Sequence, residues 1–230
     1  MTVEKSGFRW RGQEISRLEQ FSDAVFAFAL ALLVVSTELP RSMEDLHEVL
    51  RGFLAFGATF AVLAWIWYLH YQYFRRYGLT DVITITLNCG LLFLVLFYVY
   101  PLRFLFGALL NSLLGARWVI DISQSDDLLV IYSAGFIAVF GMFALLYRRA
   151  LAHKDVLGLS EREIDITRTE MLSHVFVLSI GLASMTIALT TPSWLTPVAG
   201  FMYFLIGPVK WWHWSRVKRR WRAAEAKTES

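Results

Sequence analysis

Hydrophobic residues along this chain come in long continuous runs, separated by short polar intervals rich in charge. Uncharged stretches cover 24–37, 52–74, 82–102, 128–147 and 171–209, the last interrupted by TTPSWLTP at 190–197. Two prolines with Thr and Ser signal a turn there, so this run divides into two helices of about 20 residues joined as a tight hairpin. Runs of this length suit helices that cross a bilayer, and they are too continuous for barrel strands of about 10 alternating residues. The pattern predicts an all-α integral membrane protein with six transmembrane helices per chain. The spans fall at about 17–39, 52–74, 82–106, 127–147, 170–190 and 194–214, in a single transmembrane domain over 1–230 that ends in a basic tail at 215–230.

The first stretch, RLEQFSDAVFAFALALLVVSTELP at 17–40, is the least regular. Its uncharged part is 14 residues, about 21 Å of helix against the roughly 30 Å of a hydrocarbon core. Ser16-Arg17-Leu18-Glu19 fits a capping box, in which the Ser hydroxyl and the Glu carboxylate each accept from the other residue's backbone N–H. The helix then starts near Arg17 and stops by Pro40, long enough to cross with some tilt. Asp23 therefore lies one to two turns inside it. No small-residue cleavage pattern follows, so the segment reads as a retained span.

Composition agrees. Of 230 residues 57% are hydrophobic and only 18% charged, against about 25% charged in soluble domains. The net charge of +3 is small, but its distribution is lopsided: 18 of the 22 Lys and Arg fall on the side shared by both termini, leaving Arg41, Arg51, Arg103 and Arg117 opposite. This predicts cytoplasmic termini and a multi-pass protein of the cell (plasma) membrane. The tail WWHWSRVKRRWR at 211–222 places tryptophans beside cations, as an interface facing anionic lipids selects, and is not read as a nucleic-acid site. The loop at 153–170 is expected to be a short amphipathic segment before span five. Cys89 is the single cysteine, which leaves no intrachain disulfide or cysteine metal site. No phosphate-binding glycine loop, H-E-x-x-H pair or G-x-S-x-G elbow occurs, so no cofactor and no enzyme activity is expected.

Polar residues inside spans are expensive and invite a functional reading. Ser22 with Asp23, Glu38, His70, Asn88 and His174 qualify. Glu38 beside Pro40 is expected at the outer mouth and His174, in the first turn of span five, at the headgroups. Asp23, His70 and Asn88 lie at similar depths, which allows one cluster: Asp23 accepting, His70 and Asn88 donating, with Ser22 and Arg17 nearby. Such a cluster either braces spans one to three or relays protons through Asp23 and His70. Behind the acid, Ala24, Phe28, Ala31 and Val35 recur at helical spacing with Leu32 adjoining. On a lone helix this stripe is ordinary packing or a lipid-facing surface. Around an axis of several copies it lines a hydrophobic constriction.

Arg17-x-x-x-Phe21-Ser22-Asp23 matches the R-x-x-x-F-S-D motif of the transmembrane protein 175 family, and Trp67-x-x-His70, Asn88 and Pro101 follow in the order of that family's pattern. The chain thus resembles these potassium-permeable channels of lysosomes and, in single-repeat form, of prokaryotes. The resemblance implies a homotetramer that passes potassium ions and holds no metal beyond the permeant cation. It implies that Arg17, Phe21, Ser22, Asp23, Trp67, His70 and Asn88 brace the first helix. Selectivity would reside in apolar rings on that helix, formed here by Phe28, Ala31, Leu32 and Val35. Phe28 stands where the family usually has Ile, and Ala31 where it commonly has Thr. The expected function is a potassium-permeable cation channel with Glu38 gathering cations at its outer mouth. The alternatives are a proton or solute transporter using Asp23 and His70, and a non-conducting membrane scaffold.

Overall fold

Four helices of the protein, those starting at Arg17, Met43, Val82 and Glu161, begin where a side chain satisfies their first backbone N–H groups. We describe the architecture from a computed structural model covering residues 4, 7–35, 40–113, 122–192, 196–208 and 215. Six helices follow in order: α1 (Arg17–Val35), α2 (Met43–Tyr77), α3 (Val82–Leu113), α4 (Ile122–Ala152), α5 (Glu161–Thr190) and α6 (Thr196–Phe201), the last continued by a 3-10 turn at Met202–Leu205. No strand occurs among the described residues. Ser16 and Glu19 form the expected box, with the Ser16 N–H donating to Glu19 Oε2 at 2.9 Å and the Glu19 N–H to Ser16 Oγ at 3.2 Å. Ser42 with Asp45 and Ser160 with Glu163 repeat the device at α2 and α5. At α3 the Asp81 carboxylate accepts from the Ile83 N–H and the Thr84 hydroxyl.

Among the described residues, four helices are long and apolar enough to cross a membrane: Met43–Tyr77, Val82–Leu110, Asp126–Ala152 and Glu161–Thr190. They extend beyond the uncharged runs that predicted them. α2 has 35 residues, about 52 Å at 1.5 Å per residue, well over a bilayer core. Its charged first turns continue the same helix because the Ser42 cap nucleates it outside the apolar run. Residues 161–170, expected within a separate loop segment, are the opening turns of α5 for the same reason, started by Ser160 and Glu163. α3 runs straight through Pro101 to Leu113. The chain turns after Thr190 as the proline pattern predicts, and α6 starts at Thr196. The expected Glu38 site, most of the tail and the end of span six lie outside the described residues.

α1 packs on α2 and α3, α3 on α4, and α4 along α5, with α6 closing the far side. Glycines permit the close approaches. The Tyr98 ring lies where a Cβ on Gly135 would sit, and Met142 fills the same space at Gly90. The core between α2, α4 and α5 is aromatic, with Tyr73, Tyr77 and Tyr147 ring to ring. His174 was expected at the headgroups. It is instead fully buried against Phe143, Phe140 and Tyr147, because its face of α5 turns toward α4.

The N-terminal segment straps one end of this bundle. Phe8 is buried edge-on to Tyr77 and lies under the Arg11 and Arg76 guanidinium groups. Backbone N–H groups of Arg11 and Gly12 donate to the Arg75 carbonyl, and Arg75 returns a hydrogen bond to the Gly12 carbonyl at 2.8 Å. A Cβ on Gly12 would stand 2.6 Å from the Phe74 carbonyl oxygen, so only glycine fits. Arg11 clamps Glu163 at 2.9 Å and also reaches the Leu157 carbonyl. Arg76 holds Glu4 and Glu170 together.

At the same end Arg149 pairs with Asp81 at 2.9 Å. Burial works to raise the Asp81 carboxyl, but hydrogen bonds from Thr84 and Arg149 outweigh it and hold the group down at about 2.

Two outcomes follow from the strap and this pair. Glu163→Gln leaves the Arg11 charge half-paired and should cost about 2–3 kcal/mol, read as a lower melting temperature in detergent and faster proteolysis before α1. The Asp81 pair contributes stability above the unfolded carboxyl value of about 4 and loses it as the pH falls toward 2. Arg149→Gln should therefore flatten that part of the acid-stability profile. An unchanged slope would show that the pair contributes nothing.

Candidate pore helix and its brace

The 19 residues of α1 rise about 28 Å. Its buried face carries Ser22, Phe26, Ala29 and Leu33, at i, i+4, i+7 and i+11. The opposite face leaves Phe21 and Phe28 more than half exposed, with Ala24, Ala27, Ala31 and Val34. The predicted stripe of Ala24, Phe28 and Ala31 thus faces out of the protomer, and Leu32 is half-buried at its edge. The Val35 side chain is not among those described.

What fixes this rotation is a buried chain of hydrogen bonds. Ser22 Oγ donates to the Leu18 carbonyl at 2.8 Å and accepts from Asn88 Nδ2 on α3 at 2.9 Å. Asn88 Oδ1 lies 2.8 Å from His70 Nε2 on α2. Since the amide nitrogen faces Ser22, its oxygen accepts from His70, which must carry its proton on Nε2. The imidazole is wedged between Phe26 and Phe74, with ring centroids at 5.6 and 4.6 Å. Ser22, His70 and Asn88 are all within 1% of full burial. One residue from each of three helices therefore meets at a single point.

Asp23 does not join them. Neighbouring residues on a helix point about 100° apart, so with Ser22 turned toward α3, Asp23 points to the exposed side. There its Oδ1 accepts from the Trp67 indole N–H at 2.8 Å, and Trp67 stacks on Tyr71 at 5.9 Å. The single cluster expected from depth is two: a buried Ser22–Asn88–His70 chain and an exposed Asp23–Trp67 pair. Arg17 is exposed in the first turn and makes no hydrogen bond or ion pair among the described residues. Phe21 lies on the outer face, away from the chain of hydrogen bonds.

One contact escaped the sequence reading. Arg103 on α3 donates from Nη1 to the Leu33 carbonyl at 2.7 Å. That carbonyl lies toward the C-terminal end of α1 as described, where the helix dipole favours a cation. The charge had been counted only toward topology, because the uncharged run ends at Leu102. Its position two residues after Pro101, in a helix that does not stop there, was the available signal.

The two clusters respond differently to substitution. Asn88→Leu strands the buried His70 N–H and should cost about 1–3 kcal/mol, seen as a clear drop in melting temperature. Asp23→Asn keeps an acceptor for Trp67 at an exposed position and should stay within about 0.5 kcal/mol of the parent. Equal losses in the two variants would contradict the division.

The chain is similar to several known proteins. Residues 17–98, which carry Ser22, Asp23, Trp67, His70 and Asn88, match the family model described as the endosomal/lysosomal potassium channel TMEM175. A potassium channel of Marivirga tractuosa is 39% identical over 217 residues, covering 88% of this chain and 87% of that protein. A potassium channel of Chamaesiphon minutus is 26% identical over 192 residues, covering 80% of this chain and 88% of its own. Among solved structures, a variant of the potassium channel MtTMEM175 in complex with a nanobody fusion aligns with a TM-score of 0.84 at 35% identity, over 95% of this chain and 100% of that one. A Chamaesiphon minutus homologue of the lysosomal channel shares the fold at a TM-score of 0.57 and 24% identity, over 83% of this chain and 93% of its own. With a relative this similar along nearly its whole length, the chain belongs to the TMEM175 family of potassium channels.

Proposed function

We propose that this protein is a potassium channel of the cell membrane, assembled from several copies with α1 of each lining the pore. The observation that carries the reading is the outward apolar face of α1, held at one rotation by the Ser22–Asn88–His70 chain. A surface helix in a lone protein of this kind has no need of so exact a brace. Around a symmetry axis the same face forms stacked apolar rings that pass ions only when wetted. The similarity to proteins named potassium channels supports potassium as the ion. Four copies are the expected number.

Phe28 is the largest exposed side chain near the middle of that face, and it takes the constriction in this reading, with Ala31, Leu32 and Val35 continuing the lining. Glu38, which follows α1 in the sequence and lies outside the described residues, is proposed to gather cations at the outer mouth. The basic strapped end faces the cytoplasm, since cations accumulate there. A relay through Asp23 and His70 finds no support in the geometry, where the two side chains belong to separate hydrogen-bonded groups. Their roles are structural.

Reconstituted protein should load potassium or a potassium-tracking dye into vesicles faster than empty liposomes do. Phe28→Ala should widen the constriction, raising flux several-fold and lowering the preference for potassium over sodium. Phe28→Ile should retain both rate and preference. No flux above empty vesicles, with a control channel active beside it, would favour the scaffold. Saturable uptake coupled to a proton gradient would favour a transporter.

A further inference from the structure

The part of α1 that carries the apolar stripe has no polar side chain of its own. From Ala24 to Val35 every residue is Ala, Val, Phe or Leu, so beyond Asp23 only the backbone of this stretch can hydrogen-bond to a neighbouring helix. Phe26, Ala29 and Leu33 pack it against the bundle, and apolar contacts of this kind repack at modest cost. Phe28, Ala31 and Leu32 belong to the same stretch. The width of any ring they form depends on what holds the helix there.

Arg103 supplies a hold. Its Nη1 donates to the Leu33 carbonyl at 2.7 Å, in the short range of bonds made by a charged donor. Leu33 is fully buried and adjoins Leu32. An arginine just past the uncharged run at 82–102 has an easier course, which is to lay its stem along apolar surface and leave its head in water or among phosphates. Here the head takes a main-chain oxygen of another helix instead. α3 therefore grips α1 at two levels, through Asn88 on Ser22 and through Arg103 on Leu33. Ser22 and Leu33 are 11 residues apart, Asn88 and Arg103 15, about 17 Å and about 23 Å of helix. An arginine arm reaching back toward the N-terminus of α3, the direction helical side chains favour, closes the difference.

We infer that Arg103 is a positioning residue for ion preference. By holding the Leu33 carbonyl it sets the height and rotation of α1 across Phe28, Ala31 and Leu32, and through them the bore of the constriction. The inference rests on the reading of α1 as the pore helix. The inner grip orients the start of α1, and the outer grip orients the stretch that selects. Lysine carries the same charge and can also donate, but its head is a point charge on a thinner stem, so it replaces arginine in part.

The test uses the full chain in planar bilayers with potassium on one side and sodium on the other, where the reversal potential gives the preference. Recordings are made at about 0.1 M and about 1 M salt, at which exposed charges are screened beyond about 10 Å and about 3 Å. Arg103→Met, which keeps the apolar stem and removes the donor, should lower the preference for potassium about threefold or more, equally at both salt concentrations, and Arg103→Lys should restore part of it. If the Met variant yields no folded protein, Arg103→Gln, with a shorter neutral donor, takes its place with the same expected loss. An unchanged preference in a conducting variant overturns the assignment. So does a loss that disappears at high salt, which marks a charge acting at the mouth and not a held helix. A parent protein that carries no current overturns the pore reading, and this assignment with it.

Discussion

A buried amide in an apolar bundle has to find its partners, and Asn88 finds them on two different helices. Its nitrogen donates to Ser22 and its oxygen accepts from His70. Leaving any of these groups unmatched costs far more in a membrane-depth core than the bond contributes in water. A rotation of α1 by one residue would carry Ser22 about 100° away and strand both partners. The apolar packing of Phe26, Ala29 and Leu33 would tolerate such a rotation better than the hydrogen bonds do, since any small or large apolar residue can be repacked. The polar chain therefore selects the single setting in which Ala24, Phe28 and Ala31 face outward. In the proposed channel the polar residues fix the rotation of α1, and that rotation turns its apolar face toward the pore.

The ends of α1 are tied separately. Before it, the strap from Phe8 to Gly12 is sewn to the last turn of α2 and to the α4–α5 turn. Toward its other end, Arg103 holds the Leu33 carbonyl. With three attachments along about 28 Å, the helix behaves as a stave whose exposed face is defined by the rest of the protomer. Among the described residues, α4, α5 and α6 make no comparable contact with α1 and serve as the scaffold on which α3 is positioned.

Much of this was legible in the sequence because it is local. The Ser16–Glu19 cap, the stripe at helical spacing and the hairpin at 190–197 are patterns within one or two turns. The family motif pointed to the residues that meet at Ser22, Asn88 and His70. What the sequence hid is what depends on direction or distance. Depth placed Asp23 beside His70, but side-chain direction on a helix separated it from Ser22 and gave it to Trp67. Arg11 and Glu163 are 152 residues apart, and nothing in either neighbourhood announces the other. Helix lengths were underestimated wherever the end was judged from loss of hydrophobicity, since α2 and α5 start at capping residues outside the apolar run. His174 looked interfacial from its place in the span, and only the packing of α4 against α5 shows it among aromatic rings.

The central claim is that one face of α1 meets the permeating ion and the other does not. Cysteine accessibility tests it directly. In a Cys89→Ser background, single substitutions Ala24→Cys, Phe28→Cys and Ala31→Cys on the exposed face are compared with Ala29→Cys and Leu33→Cys on the buried one. Each is treated with a small charged thiol reagent during potassium flux. The account predicts block or strong reduction of flux at 24, 28 and 31, and none at 29 and 33. Block at 29 or 33 with no effect at 24, 28 and 31 would contradict it.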